Sequence, residues 1–248
     1  MICLLYRLDD YHRAYVKNQG KSQSQSESIK KINKMKCPLC SFTVHYLVSG
    51  EHREYWLCSK CRAISVPASF HITLEEEVKR YLEHENSLES EGYVRMFQEK
   101  IDILKAYEIK SALDYGCGYE PVLKTLLERQ GIKAEGYDPN FFPDTTPGKL
   151  YDLVISTETF EHFRNPSEEI SRISEKIVKG GILAIMTQFY PDDDKAFADW
   201  YYKNDPTHII FYCPTTFQWI AENKGFKLIF NNGYDFVVLK KLFNANSK

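Results

Sequence analysis

The stretch Ala112-Leu113-Asp114-Tyr115-Gly116-Cys117-Gly118-Tyr119-Glu120-Pro121 decides the fold, because it runs a strand-like segment into two glycines and a proline. Gly116 and Gly118 let the backbone turn sharply and lie against a ligand with no Cβ in the way. Pro121 suits the first turn of a helix, where its missing N–H costs nothing. The helix it opens, expected over Val122–Gln130, points unpaired backbone N–H groups at an anionic ligand group. A second apolar strand, Ala134–Tyr137, closes on Asp138 roughly 20 residues after the first glycine, where a carboxylate can accept hydrogen bonds from two ribose hydroxyls. Glycines, helix start and acid in this order indicate an α/β sheet that holds a nucleotide-like ligand beyond its strand ends.

Asp114, Gly116, Gly118 and Asp138, so spaced, resemble the first motif and second-strand acid of class I S-adenosylmethionine-dependent methyltransferases. The resemblance implies a Rossmann-like fold in which Asp114, Gly116 and Gly118 hold the methionine part of S-adenosyl-L-methionine and Asp138 its ribose. A nicotinamide-dinucleotide enzyme is the rival reading, but its third glycine falls where this chain has Pro121. Many class I members carry a further glycine near Tyr119 or Glu120, which this chain lacks.

The 248 residues suffice for one α/β domain with a small appendage, and 43% hydrophobic with 27% charged residues is ordinary globular composition. A formal charge of -2 provides no global basic field for nucleic acid. No apolar run approaches the roughly 20 residues that a membrane helix needs. The opening Ile2-Cys3-Leu4-Leu5-Tyr6 is too short for a signal-peptide core and is soon followed by Arg7, Asp9 and Asp10, so a cytoplasmic location is expected.

Four of the seven cysteines fall as Cys37-x-x-Cys40 and Cys58-x-x-Cys61 around the strand-like segments Thr43–Val48 and Arg53–Leu57. Two such pairs predict a tetrahedral four-cysteine zinc ribbon, too small to fold on apolar burial alone, whose closed ligand set makes the metal structural. Ahead of it, residues 20–36 are rich in Ser, Gln and Lys, a composition that predicts a loose tail, with Met35 expected as the native start. The domain plan is thus a tail over 1–35, a ribbon over 36–70, a helical connector over 71–108 and the cofactor domain over 109–243.

Connector helices are expected over Thr73–His84 and Glu91–Tyr107, with Tyr81, His84 and Tyr93 either packing or helping to close the cofactor site. About a dozen residues separate Asp138 from the strand Leu153–Ser156, too few for another strand, a helix and their loops. The family's third strand is therefore expected to be missing or vestigial, with Phe141 and Phe142 covering the adenine. A helix over Ser167–Val178, a turn at Gly180-Gly181 and the strand Ile182–Thr187 follow. The strands Lys227–Phe230 and Phe236–Leu239 flank Asn231-Asn232-Gly233, a hairpin signal, and resemble the antiparallel end of the class I sheet.

A second constellation, Glu158-Thr159-Phe160-Glu161-His162, emerges after the strand that ends at Ser156. On a helical turn Glu158, Glu161 and His162 would share one face and form a ligand set for a divalent ion such as Mg2+ or Mn2+. Glu-x-x-Glu-His resembles metal-assisted O-methyltransferases, among them quinone-biosynthesis enzymes and small-RNA 3′-terminal 2′-O-methyltransferases, and that likeness implies His208 as a further ligand. Metal assistance, a metal-free base at His162 or His208 oriented by Glu158 or Glu161, and a cofactor-lining role for Glu158 with His162 structural all stay open. Asp192-Asp193-Asp194 reads as a solvated helix start, and the aromatics from Trp200 to Trp219 as either acceptor wall or core. The reading is O-methylation of a hydroxylated small molecule. An RNA acceptor, or a non-catalytic ribbon protein with a degenerate cofactor domain, is the alternative.

Overall fold

The computed structural model describes residues 35–83, 87–144 and 147–243. The chain divides into two units, Met1–Met35 and Lys36–Lys248, and of the first only Met35 is described. The expected tail up to residue 34, Cys3 and His84 lie outside the described residues.

Strands β1 (Val44–Ser49) and β2 (Glu54–Cys58) form an antiparallel hairpin, and β3 (Ile64–Ser65) pairs with β2. Helix α1 (Leu74–Leu82) is closed at its start by a reciprocal capping box between Thr73 and Glu76 and buries none of its residues. Helix α2 (Glu91–Leu104) buries Phe97, Lys100, Ile101 and Leu104 on one face. There follow β4 (Ser111–Tyr115), α3 (Val122–Arg129), β5 (Lys133–Tyr137), β6 (Tyr151–Thr157), α4 (Pro166–Glu175), β7 (Ile177–Met186) and α5 (Asp194–Asp199). The chain continues through β8 (Ile210–Phe211), α6 (Pro214–Asn223), β9 (Phe226–Asn231) and β10 (Phe236–Lys241).

The main sheet has the order β5-β4-β6-β7-β10-β9, parallel from β5 to β7, with β10 antiparallel to both neighbours. It is the Rossmann-like arrangement expected, mostly parallel and closed by an antiparallel hairpin. Val154 and Ile155 of β6 and Leu183 to Ile185 of β7 are fully buried, the continuous apolar run of a sheet covered on both faces. Helix α3 lays Val122, Leu123, Leu126 and Leu127 on the core they share with Leu153 and Ala184.

Among the described residues the sheet ends at β5, so the strand expected to be missing is missing. In its place the chain doubles back, with Asp138 and Phe142 exchanging backbone hydrogen bonds of 3.0 and 2.9 Å. One expected turn is strand instead. Gly180-Gly181 lies inside β7, and the preceding helix stops at Glu175 because Ile177 already pairs with Tyr151 of β6. The glycines form an irregularity in the ladder, where a Cβ on Gly181 would meet the Asp152 carbonyl at 2.9 Å.

The ribbon is less separate than its sequence suggests. Its sheet has the order β1-β2-β3-β8, so the fourth strand comes from the cofactor domain. Tyr55, Leu57, Ile64 and Val66 of the ribbon share one apolar cluster with Tyr190, Phe197, Tyr202 and Phe211. That shared burial supplies what a ribbon of this size lacks.

Candidate functional site

A cavity of about 780 Å³ opens at the carboxyl ends of β4, β5 and β6, lined by Asp114, Gly116, Gly118, Asp138, Glu158, His162 and His208 among others. The glycine loop is fixed to β5 by its own backbone, since the N–H groups of Gly116 and Cys117 donate to the Tyr137 carbonyl at 2.7 and 3.1 Å. The two glycines differ in kind. Gly118 (φ +67°) has no atom within 4 Å of where a Cβ would stand, which leaves open space for a ligand. A Cβ on Gly116 (φ +84°) would lie 2.3 Å from the Thr159 side chain, so this glycine serves packing. Gly136, which the sequence reading passed over, leaves room for the Cys117 sulfur, 2.9 Å from the position of its absent Cβ.

Asp138 Oδ2 accepts the Gly118 N–H at 3.2 Å, and Oδ1 accepts those of Asn140 and Phe141 at 2.8 and 3.2 Å. Three of its roughly four lone-pair sites are thus taken, leaving one on Oδ2 for a ligand hydroxyl. Burial pushes the Asp114 carboxyl up to about 7, opposed by the Lys124 backbone N–H and reinforced by the charge on Asp138. A cationic ligand group beside Asp114 would favour its ionised form.

The second constellation assembles differently from its expected helical face. Glu158 sits at φ +49°, a left-handed conformation uncommon for a side-chain-bearing residue, ahead of the short helical turn Phe160–His162. The convergent set is instead Glu161, His162 and His208, whose ligand atoms lie within 4.8 Å of one another. Glu158 joins it through Tyr202, whose phenol is 3.0 Å from Glu158 and also reaches Glu161. One phenolic proton thus serves two carboxylates, and burial followed by the Glu161 charge raises the Glu158 carboxyl well above its ordinary range.

His162 Nδ1 is 3.0 Å from the Thr207 carbonyl, and His208 Nδ1 is 2.8 Å from the Tyr202 carbonyl. A nitrogen facing a carbonyl oxygen must carry the proton, so in each neutral ring Nε2 keeps its lone pair. Backbone carbonyls therefore set both tautomers, where the metal-free alternative expects Glu158 or Glu161 to do so. Burial, then the neighbouring His162, pushes His208 down to about 4, so it is neutral at neutral pH. Glu161 is fully buried, and its Oε2 has no hydrogen-bond partner among the described residues. Glu161 shares its set with two imidazoles that each keep a ring lone pair, and a divalent cation fits an orphaned carboxylate oxygen in such a set.

In the ribbon, the sulfurs of Cys37 and Cys61 are 3.5 Å apart and those of Cys40 and Cys58 are 3.3 Å apart, without disulfides. Four sulfurs about 2.3 Å from one ion would sit roughly 3.8 Å apart, so this convergence fits zinc. The two turns that present them match. Cys37 N–H donates to Phe42 O and Cys58 N–H to Ala63 O, with Ser41 and Arg62 left-handed at equivalent places.

Asp193 caps α5 through the Ala196 N–H at 2.9 Å, so the acidic run is a helix start as expected. The dense aromatics divide: Phe211, Tyr212 and Phe217 are core, whereas Tyr201 is 68% exposed and lines the cavity. Tyr81 of α1 packs edge-on against His162 at 5.3 Å between ring centres, and Tyr93 of α2 lines the cavity, so both connector helices reach the site. Phe141 sets its ring against Tyr119 at 6.0 Å, beside the glycine loop. Tyr202 carried no motif that marked it as the link between the carboxylates. No helix among the described residues is long and apolar enough to cross a membrane.

Residues 74–230 match the family described as Methyltransferase domain. No curated protein matches the chain. Among solved structures, an O-methyltransferase family protein from Burkholderia thailandensis aligns at 16% identity and a TM-score of 0.46, over 61% of this chain and 57% of that one. Human N-acetylserotonin methyltransferase in complex with SAM aligns at 13% identity and a TM-score of 0.45, over 81% of this chain and 79% of that one.

Proposed function

The chain belongs to the methyltransferase-domain family that its residues 74–230 match, and from that premise we propose that this S-adenosylmethionine-dependent methyltransferase methylates a hydroxyl oxygen of a small molecule with divalent-metal assistance. The observation that carries the proposal is the orphaned Oε2 of Glu161, in a set gathered within 4.8 Å with two histidines whose Nδ1 protons are committed to backbone carbonyls. S-adenosylmethionine supplies a methyl group already activated on a sulfonium, so the chain has to orient the acceptor and take away its proton. Asp114, the open backbone at Gly118 and the free lone pair of Asp138 are assigned to the cofactor, and Cys37, Cys40, Cys58 and Cys61 to a structural zinc ion.

Glu161, His162 and His208 are the residues that would hold the divalent ion, which would lower the pKa of an acceptor hydroxyl. Glu158, adjoining this set through Tyr202, is the group assigned to receive the proton. His208, neutral down to about 4, is a poor base at neutral pH, which disfavours the metal-free reading at that residue. Eight acidic side chains and two arginines line the cavity, which favours a neutral or cationic small acceptor over the phosphates of RNA.

Titration of the zinc-loaded protein with Mn2+, followed by the resonance signal of the free ion, tests this reading. Wild type is expected to take up one further ion per chain, and Glu161→Gln to bind it at least roughly tenfold more weakly while retaining S-adenosylhomocysteine affinity. Equal uptake by both proteins, or none by wild type, removes the metal from the proposal.

A further inference from the structure

We propose that Arg53, in the turn of the ribbon hairpin, is a positioning residue for the acceptor site: it holds the loop 202–208 so that His162 and His208 commit their Nδ1 protons to its carbonyls and keep Nε2 lone pairs for the set they form with Glu161. The inference rests on the reading of Glu161, His162 and His208 as the acceptor-activating set.

The Arg53 guanidinium reaches four carbonyls of one short loop. Nη1 donates to His208 O at 2.9 Å and Pro206 O at 3.3 Å; Nη2 donates to Asp205 O at 2.5 Å and also to Lys203 O. Nε donates to the Tyr55 hydroxyl at 3.0 Å, and that hydroxyl donates to Lys203 O at 2.9 Å. The fork is therefore spent on carbonyls 203, 205, 206 and 208, directly and through Tyr55. The two remaining carbonyls that carry the site's chemistry, Tyr202 O and Thr207 O, face inward and receive the Nδ1 protons of His208 and His162. One residue of the ribbon thus fixes the loop whose inward carbonyls set both tautomers. A planar fork with five donors suits this fan of acceptors, whereas an ammonium has three donors and no fixed plane.

Other connections shape the loop from within or at its end: Thr207 N–H and Oγ1 donate to Asp205 Oδ1 at 2.9 and 2.6 Å, and Ile209 N–H donates to Glu161 O at 2.8 Å, but none of these reaches the carbonyls of residues 203, 206 and 208. The Arg80–Asp205 ion pair of 3.2 Å has an arginine 41% exposed, where such pairs contribute little. The pairing of β3 with β8 begins one residue after His208, where Val66 N–H donates to Ile209 O at 2.9 Å, and does not reach the carbonyls before it.

The test compares wild type, Arg53→Met and Arg53→Lys as full-length, zinc-loaded proteins, with zinc content and S-adenosylhomocysteine binding as checks that the ribbon and cofactor cleft are intact. Nitrogen-15 spectra of the histidine side chains read the tautomers, and Mn2+ titration reads the ligand set. Wild type is expected to show His162 and His208 protonated at Nδ1. Arg53→Met is expected to show mixed tautomers and Mn2+ binding weakened roughly tenfold to a hundredfold, with Arg53→Lys between the two. Unchanged tautomers in Arg53→Met would overturn the proposal and leave Arg53 as a staple between ribbon and cofactor domain. If Arg53→Met does not fold, Arg53→Lys alone decides in the same way, unchanged tautomers overturning the proposal. Absence of Mn2+ uptake by wild type would remove the metal reading by itself, and the tautomer comparison would still decide the role of Arg53.

Discussion

The glycine loop and the Glu161–His162–His208 set emerge from the paired strands β4 and β6, yet they are held in opposite ways. The first is a local object, in which Gly116 and Cys117 bond to Tyr137 and Gly118 to Asp138 within one strand-helix-strand unit. The second draws Glu161 and His162 from the end of β6, Tyr202 and His208 from a distant loop, and its outer support from Arg53, 150 residues before Lys203. Local geometry survives the loss of distant parts, whereas an assembled site inherits the stability of its weakest support.

The sharpest way to break this comparison is to remove one member of the four-cysteine set proposed to hold zinc. A structural zinc contributes about 10–16 kcal/mol of apparent binding free energy in small zinc domains, so Cys58→Ser is expected to unfold the ribbon. Elemental analysis should show zinc lost, and Mn2+ uptake and methyl transfer should go with it, while calorimetry still detects S-adenosylhomocysteine. Loss of cofactor binding in the same variant would mean that the two regions form one cooperative unit.

A smaller effect is expected inside the local region. Gly116→Ala adds a left-handed alanine and a clash with Thr159, together about 3 kcal/mol or more. Denaturant unfolding should report the loss of stability and calorimetry a weakened cofactor. Parallel weakening of Mn2+ binding would sharpen the comparison by making Thr159, two residues before Glu161, a link between the regions.

The smallest effect concerns pH. The Asp114 carboxyl stands at about 7 when folded against 3.8 as its ordinary value, so between these values the folded chain keeps a proton that the unfolded chain has released. The stability this group contributes is complete below the lower value and is lost as pH rises through the upper one, with a slope approaching about 1.4 kcal/mol per pH unit. Asp114→Asn should remove that slope, so urea unfolding at about pH 5 and about pH 8 should show the variant gaining on wild type at the higher pH. A gain of equal size at both values would place the Asp114 titration outside this window.

What was legible in the sequence follows the same division. Asp114, Gly116, Gly118, Pro121 and Asp138 were readable together because their geometry is set by backbone conformation over one short span. The shortened sheet was readable from chain length alone, and the two cysteine turns from their repeated spacing. Gly180-Gly181 misled because ladder pairing of β7 with β6 outweighs the preference of glycine for turns. Glu158 keeps Glu161 and Tyr202 as neighbours, yet its left-handed backbone puts it outside the helical turn that spacing assigns. Arg53 and Tyr202 were invisible, since their roles depend on where a strand from the far end of the chain docks, and the ribbon gives no sign that β3 leaves its outer edge for β8.

That open edge also sets an order of events in synthesis. Ile64 and its partner Phe211 lie about 150 residues apart, and at roughly 5–20 residues per second the ribosome needs on the order of 10–30 s to deliver the second after the first. Through that interval the ribbon has β3 as a bare edge, able to pair with any strand that arrives, including one from a neighbouring nascent chain. Completing the ribbon is therefore a late event, and a chain cut short before Ile210 would release an N-terminal module whose β3 edge remains adhesive.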